Sequence, residues 1–181
     1  GEKMNFYREE SNIFVRTLDT IAMIFVVIAL AWFSVFSFGK QITNTGQSMQ
    51  PVLLSGEHAL MDRLKYGVTG PSRYDVVVFR SIDGRTNIKR IIGLPGETVQ
   101  IQGGKVYIDG EQLGGKYGDA SLSGLASSGV FLGRDEYFVL GDNRESSEDS
   151  RFDSIGNVKR KDIVGKVWLR IGKISRFGFI R

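Results

Sequence analysis

The chain of 181 residues has no cysteine and a single histidine, His58. These absences remove the commonest ways of activating a nucleophile, the thiolate and the serine assisted by imidazole. Without disulfides, an exported domain of this chain has to hold together through its core. Dense basic blocks are missing too. The 24 Lys and Arg are scattered among 20 Asp and Glu, for a net charge of +4 and a pI near 9.4. That distribution describes a solvated mixed surface near anionic lipid, and no nucleic-acid partner is expected. Beyond residue 40 no stretch carries a convincing 3.6-residue period, so a helical domain is excluded. With 41% hydrophobic and 24% charged residues, wholesale disorder is excluded as well.

What is present begins with an apolar run. Residues 21–38 (IAMIFVVIALAWFSVFSF) contain no charge, close to the length that crosses a bilayer core. Trp32, Phe33, Phe36 and Phe38 gather toward its end, as interfacial aromatics do. Lys3, Arg8 and Arg16 precede it and Lys40 follows, which favours a cytoplasmic N-terminus and an exported remainder. A buried core helix and a cleavable signal ending at Ser37-Phe38-Gly39 are the competing readings. The run exceeds the usual signal core of about 7–15 residues, so an uncleaved anchor is preferred. The expected organisation is a cytoplasmic segment 1–16, a transmembrane anchor 17–39 and an extracytoplasmic domain 40–181 in the cell membrane, with the lipid bilayer as a partner.

From residue 41 onward the chain reads as β-structure. Residues 75–79 (DVVVF) suit a strand buried on both sides. Residues 98–101 and 105–108 flank Gln102-Gly103-Gly104 as a hairpin, and residues 136–140 and 163–171 supply further strands. The fold expected is mainly β, antiparallel and barrel-like, with one N-terminal transmembrane helix. Residues 114–133 are rich in Gly and Ser and read as a long surface loop or flap able to contact substrate.

Three segments carry chemistry. In GQSMQP (46–51), Gly46 permits unusual dihedrals and Pro51 stiffens the exit, which holds Ser48 on a fixed loop with its N–H facing a developing oxyanion. In KRIIGLPGE (89–97), Lys89 and Arg90 interrupt an apolar strand, where each needs a partner or a task. A buried lysine is pushed toward its neutral form and can then serve as a base to Ser48. The third, GDNRESSEDSR (141–151), is a polar run after an apolar strand; it lacks the spacing and mid-loop glycine of a calcium loop. No metal and no cofactor are expected. His58 has no accompanying aspartate motif and reads as a structural histidine.

In this order, the anchor, Ser-Met-x-Pro, Asp-Val-Val-Val-Phe, Lys-Arg-Ile-Ile-Gly-Leu-Pro-Gly and Gly-Asp-Asn-Arg-x-x-Ser-x-Asp-Ser-Arg resemble the bacterial signal peptidase I family of the short Gram-positive-like type. The resemblance implies a membrane-anchored serine endopeptidase with Ser48 as nucleophile and Lys89 as general base. It implies that Ser147 hydrogen-bonds the lysine amine, that Asp149 pairs with Arg151, and that Asp142 pairs with Arg90. It places the oxyanion hole at Ser48 and Gly46. Shallow substrate pockets would be lined by Ile42, Met49, Leu53, Val78 and Ile88, selecting small residues at the third and first positions before the cut. Signal peptides of secretory preproteins are the implied substrates, and the secretion translocon is an implied neighbour. The chain departs from the family pattern at Val52 (usually threonine), Glu97 (usually aspartate), Tyr74 (usually glycine) and Gly46 (serine in some members). Two other readings use the same residues: a signal-peptidase-like factor in pilus assembly, and a Ser/Lys self-cleaving regulator, which would need a DNA-binding domain in place of the apolar run.

Overall fold

A computed structural model describes residues 6–63, 65–172 and 174–180. The chain divides into two units, Gly1–Phe38 and Gly39–Arg181. Lys3, counted above among the flanking charges, lies outside the described residues.

The first unit is one helix, α1 (Phe6–Phe38). Its segment Ile13–Ser34 has a mean hydropathy of 2.2 and buries none of its residues within the chain. The hydroxyls of Thr17, Thr20 and Ser34 each donate to the carbonyl four residues back, which satisfies these polar groups inside the helix itself. Such a helix is compatible with membrane anchoring.

The second unit is built from antiparallel strands. In chain order these are β1 (Gly39–Thr43), β2 (His58–Asp62), the short helix α2 (Lys65–Val68), β3 (Val76–Arg80), β4 (Thr86–Gly93), β5 (Thr98–Gln102), β6 (Lys105–Ile108), β7 (Glu111–Gln112), β8 (Val130–Phe131), β9 (Glu136–Leu140), β10 (Val158–Lys159), β11 (Ile163–Ile171) and β12 (Gly178–Phe179). The larger sheet runs β1-β2-β11-β3-β4-β9-β10, with β12 beside β11; the smaller runs β7-β6-β5-β8. The antiparallel all-β expectation holds. The larger sheet is open, with β1 and β10 at its edges, and does not close into a barrel.

Why these segments form strands follows from their burial. β3 is inward on both faces: Val76 and Val78 enter one hydrophobic cluster with Met49, Leu53 and Ile88, while Val77 and Phe79 enter another with Ile91 and Val139. Each such buried side chain stabilises the fold by about 1.5–3 kcal/mol. A third cluster joins the two sheets through Ile92, Phe138 and Leu140 from the larger and Val99, Ile101 and Val106 from the smaller.

The Gly/Ser-rich stretch 114–133 is a largely exposed connection that carries two 3-10 turns, Gly115–Tyr117 and Gly124–Ser127, followed by β8. Ala120, Ala126 and Leu132 anchor it in the third cluster, where small side chains let the backbone lie close to the smaller sheet.

Candidate active site

Ser48 follows β1 in a loop that Asn44 ties together. The buried Asn44 side chain donates to the carbonyls of Gly46 (3.3 Å), Leu53 (3.1 Å) and Leu54 (3.1 Å). Leu53 N–H bonds back to the Met49 carbonyl at 2.8 Å, which turns both side chains into the core and leaves Ser48 at its rim. Gly46 sits at φ +97°, where any side chain would be strained. Its N–H donates to Ser55 Oγ at 3.3 Å. In the structure the Gly46 amide is engaged by Ser55, so the amide left open beside the nucleophile is that of Ser48. The Ser48 N–H has no hydrogen-bond partner among the described residues.

Lys89 comes from β4, opposite Val77 of β3, and only 4% of its surface is exposed. Its Nζ lies 2.8 Å from Ser48 Oγ. Burial pushes the lysine pKa below its ordinary value, Asp149 and Glu148 partly oppose this, and Arg151 adds to it. No carboxylate touches the amine. The arrangement is a hydroxyl facing an amine that burial holds toward its neutral, proton-accepting form.

Behind the lysine, Asp149 organises the polar loop. Fully buried, its carboxylate accepts from Arg151 Nε (2.8 Å), Gly141 N (3.0 Å) and Ser147 Oγ (2.7 Å). Ser147 was expected to hydrogen-bond the Lys89 amine. Its hydroxyl donates to Asp149, which leaves the oxygen's lone pairs as the side able to face the amine, and no hydrogen bond to Lys89 is made among the described residues. Gly141 is required by close approach: a Cβ there would lie 2.2 Å from Ser147 Oγ and 2.6 Å from the Ser48 carbonyl oxygen. That contact brings the two loops together. Asn143 closes them further, its N–H donating to the Ser48 carbonyl at 3.0 Å and its side chain to that of Gln47 at 3.3 Å.

Arg90 points away from Lys89 and is completely buried. It makes a bidentate pair with Asp142 (2.7 and 2.6 Å), donates to the Tyr74 carbonyl at 2.7 Å, and lies 4.4 Å from the centre of the Tyr117 ring. Tyr74 stacks on Tyr117 at 5.1 Å. Its φ of +71° gives a physical reason for the family's glycine at this position, and the stacking offsets the strain that tyrosine incurs. Glu97 caps the Leu94 N–H at 2.7 Å and pairs with Arg73, so this departure also retains a working side chain.

A cleft of about 360 Å³ opens beside the pair, lined by Ile42, Val78 and Ile88 together with Thr43, Asn44, Thr45, Arg85, Thr86 and Asn87. Met49 and Leu53, expected in the pocket wall, do not line it; they are core residues beneath. Pairing of β4 with β9 begins only at Arg90, so the edge of residues 86–89 has no neighbouring strand among the described residues. Ile91 N–H bonds to Asp75 on the β3 side, so two-residue alternation turns the backbone groups of Ile88 toward that open edge. This explains how Ile88 and Lys89, on opposite faces, both border the cleft. His58 bonds Thr43 Oγ1 at 2.9 Å and does not line the cleft. Among the described residues no cluster of His, Asp and Glu could hold a metal ion.

Three residues of this site escaped the sequence reading in their roles: Asn44, Asn143 and Arg144. Arg144 donates to the carbonyls of Gly141 and Tyr117, both at 3.0 Å, and to that of Asp119, bracing the polar loop against residues 117–119. Asn143 and Arg144 stand inside a motif that was visible, whereas no motif marks Asn44.

An antiparallel β scaffold carrying a serine hydroxyl against a buried, carboxylate-free lysine is the arrangement that a serine hydrolase without a histidine base would need. Comparison with known proteins narrows it. Residues 17–171 match the family model described as signal peptidase, peptidase S26. The chain is 35% identical over 171 residues to signal peptidase I P of Bacillus subtilis subsp. natto, covering 87% of this chain and 88% of that one. It is 33% identical over 175 residues to signal peptidase IB of Staphylococcus aureus strain MRSA252, covering 85% and 91%. A crystal structure of a signal peptidase I from Enterococcus faecalis V583 is similar at 33% identity and a TM-score of 0.45, covering 55% of this chain and 97% of that one. The chain belongs to the signal peptidase family of serine peptidases, peptidase S26.

Proposed function

We propose that the protein is a membrane-anchored endopeptidase that removes N-terminal signal peptides from exported preproteins, with Ser48 as nucleophile and neutral Lys89 as general base. The observation that carries this reading is the 2.8 Å contact between a buried amine and the Ser48 hydroxyl. Lys89 Nζ takes the hydroxyl proton as Ser48 Oγ attacks the scissile carbonyl carbon. The Ser48 N–H, unengaged by other described residues, receives the developing oxyanion. Lys89 then returns the proton to the leaving amine, and the same amine deprotonates the water that hydrolyses the acyl-enzyme.

An extended substrate chain would pair with the open edge of β4 at Ile88, which supports recognition through backbone hydrogen bonds. Ile42, Val78 and Ile88 supply the apolar part of a mainly polar cleft lining, in keeping with small side chains before the cut. The span Ile13–Ser34 would tether the catalytic unit to the bilayer that holds its substrates, raising their local concentration. The excess of Lys and Arg before the span supports a cytoplasmic N-terminus and an exported catalytic unit. The translocon is the natural source of substrate in this scheme.

The test is incubation of the detergent-solubilised chain with a secretory precursor and mass spectrometry of the new N-terminus. Cleavage after a small-x-small sequence that disappears in Ser48→Ala supports the proposal. Binding without cleavage would favour an assembly factor, and cleavage only of the chain itself a self-processing regulator.

A further inference from the structure

Asp75 opens the run that becomes β3, yet it takes no part in the Ser48–Lys89 geometry. Its buried carboxylate accepts from Lys166 Nζ (2.5 Å), Tyr66 Oη (2.8 Å) and Ser72 N (3.1 Å). Arg160 lies 5.5 Å from the centre of the Tyr66 ring and donates to the Tyr66 carbonyl. On the outer side of this knot Lys65 stands beside Lys166, and that neighbouring amine, with burial, holds the Lys65 pKa below its ordinary value. Arg63 and Lys65 are exposed, and the nearest carboxylate besides Asp75 is Asp62, which accepts from the Lys65 backbone N–H at 3.1 Å. An anion laid over the amines would relieve their repulsion.

Strand register says where this cluster stands. Gly39, the residue directly after α1, pairs with Asp62, and Asp62 pairs with Lys166. The cluster therefore begins about 5–10 Å, one or two strand spacings, from the point where the helix hands the chain to the sheet. Exposed Lys40 lies at the same end. The field of an anionic leaflet extends about 8 Å at physiological salt, which is comparable.

We infer that Lys40, Arg63, Lys65 and Lys166 form a docking surface for anionic phospholipid headgroups. The inference rests on the reading of Ile13–Ser34 as a membrane span and is independent of the catalytic pair. It has a consequence for that pair. The row of partners continues from Lys166 through Val77 to Lys89, so docking would hold the catalytic lysine about 10 Å along the sheet from the headgroups.

The test uses the full chain in nanodiscs of phosphatidylcholine with and without phosphatidylglycerol, read by amine acetylation and mass spectrometry. Acetylation of Lys40 and Lys65 should fall about fivefold or more with phosphatidylglycerol and recover in high salt, while Lys105 and Lys116 on the smaller sheet's side stay unchanged. An Arg63→Gln/Lys65→Gln variant should still cleave a short soluble peptide, yet lose the phosphatidylglycerol protection at Lys40. Equal acetylation in both lipids overturns the docking surface. So does equal protection by inorganic phosphate in phosphatidylcholine discs, which would mark a free-anion site. A chain that enters neither disc overturns the span beneath the inference, whereas loss of peptide cleavage alone would count only against the proposed catalytic reading.

Discussion

Lys89 and Arg90 are consecutive cations in one strand, both buried, and the fold treats them in opposite ways. Arg90 is supplied with a bidentate carboxylate, a backbone carbonyl and an aromatic face. Lys89 receives one hydroxyl and no carboxylate in contact. Burial with a carboxylate partner makes Arg90 a strut, whereas burial without one pushes the Lys89 amine toward its neutral form. Alternation along β4 produces both from adjacent positions, since neighbouring side chains face opposite sides of the sheet. The difference lies in the surroundings, and it can be broken from either side.

The largest effect should come from the base side. Ser48→Ala and Lys89→Met should each lower cleavage of a precursor by at least about 10³-fold with the far-ultraviolet circular dichroism unchanged. Activity near wild type in either variant would remove the pair from the mechanism. On the strut side, Arg90→Met leaves Asp142 buried without its cation and should destabilise the fold by about 3–5 kcal/mol in denaturant unfolding.

Stability against pH should separate the two cations next. The folded pKa of Lys89 is depressed below its ordinary 10.5. Below 10.5 the unfolded chain therefore binds more protons than the folded one, and the cost is fully present below the folded pKa. Relative to wild type, Lys89→Met should be stabilised at neutral pH, and the difference should shrink as pH rises toward 10.5. Cleavage by the wild type should rise on the alkaline side over the same interval. A difference independent of pH would mean that the lysine is charged in the folded protein.

Ser147→Ala sharpens the comparison at a smaller scale. Its hydroxyl bonds Asp149 and not the amine, so the expected loss is about 1 kcal/mol of stability, with the pH profile of cleavage unmoved. A shifted profile would show that Ser147 orients the amine after all. Smallest of all is Tyr74→Gly, in which relief of a positive φ opposes loss of the Tyr117 stack. The net change in stability should stay within about 1 kcal/mol.

The meeting of Ser48 and Lys89 was legible because a charge in an apolar strand is conspicuous, and β3 was legible because its β-branched run is buried on both faces. β1 was not, since an edge strand of sequence GKQIT buries little and carries no clear alternation. Asn44, Asn143 and Arg144 stayed hidden for another reason. They act on backbone carbonyls, and no pattern of side chains records which carbonyls a fold leaves open. For Ser147 and Gly46 the structure adds partners that the sequence did not announce, Asp149 for the one hydroxyl and Ser55 for the other residue's amide. Met49 and Leu53 were placed in the pocket by the family resemblance, whereas the turn between them directs both inward.

The most direct test of the account is the titration of Lys89 itself, followed by nitrogen-15 NMR of the side-chain amine in the detergent-solubilised chain and assigned through Lys89→Met. The account predicts a midpoint clearly below the ordinary 10.5, with the amine substantially neutral where cleavage is fastest. A midpoint at or above 10.5 would contradict it, leaving Ser48 beside a cation unable to take its proton.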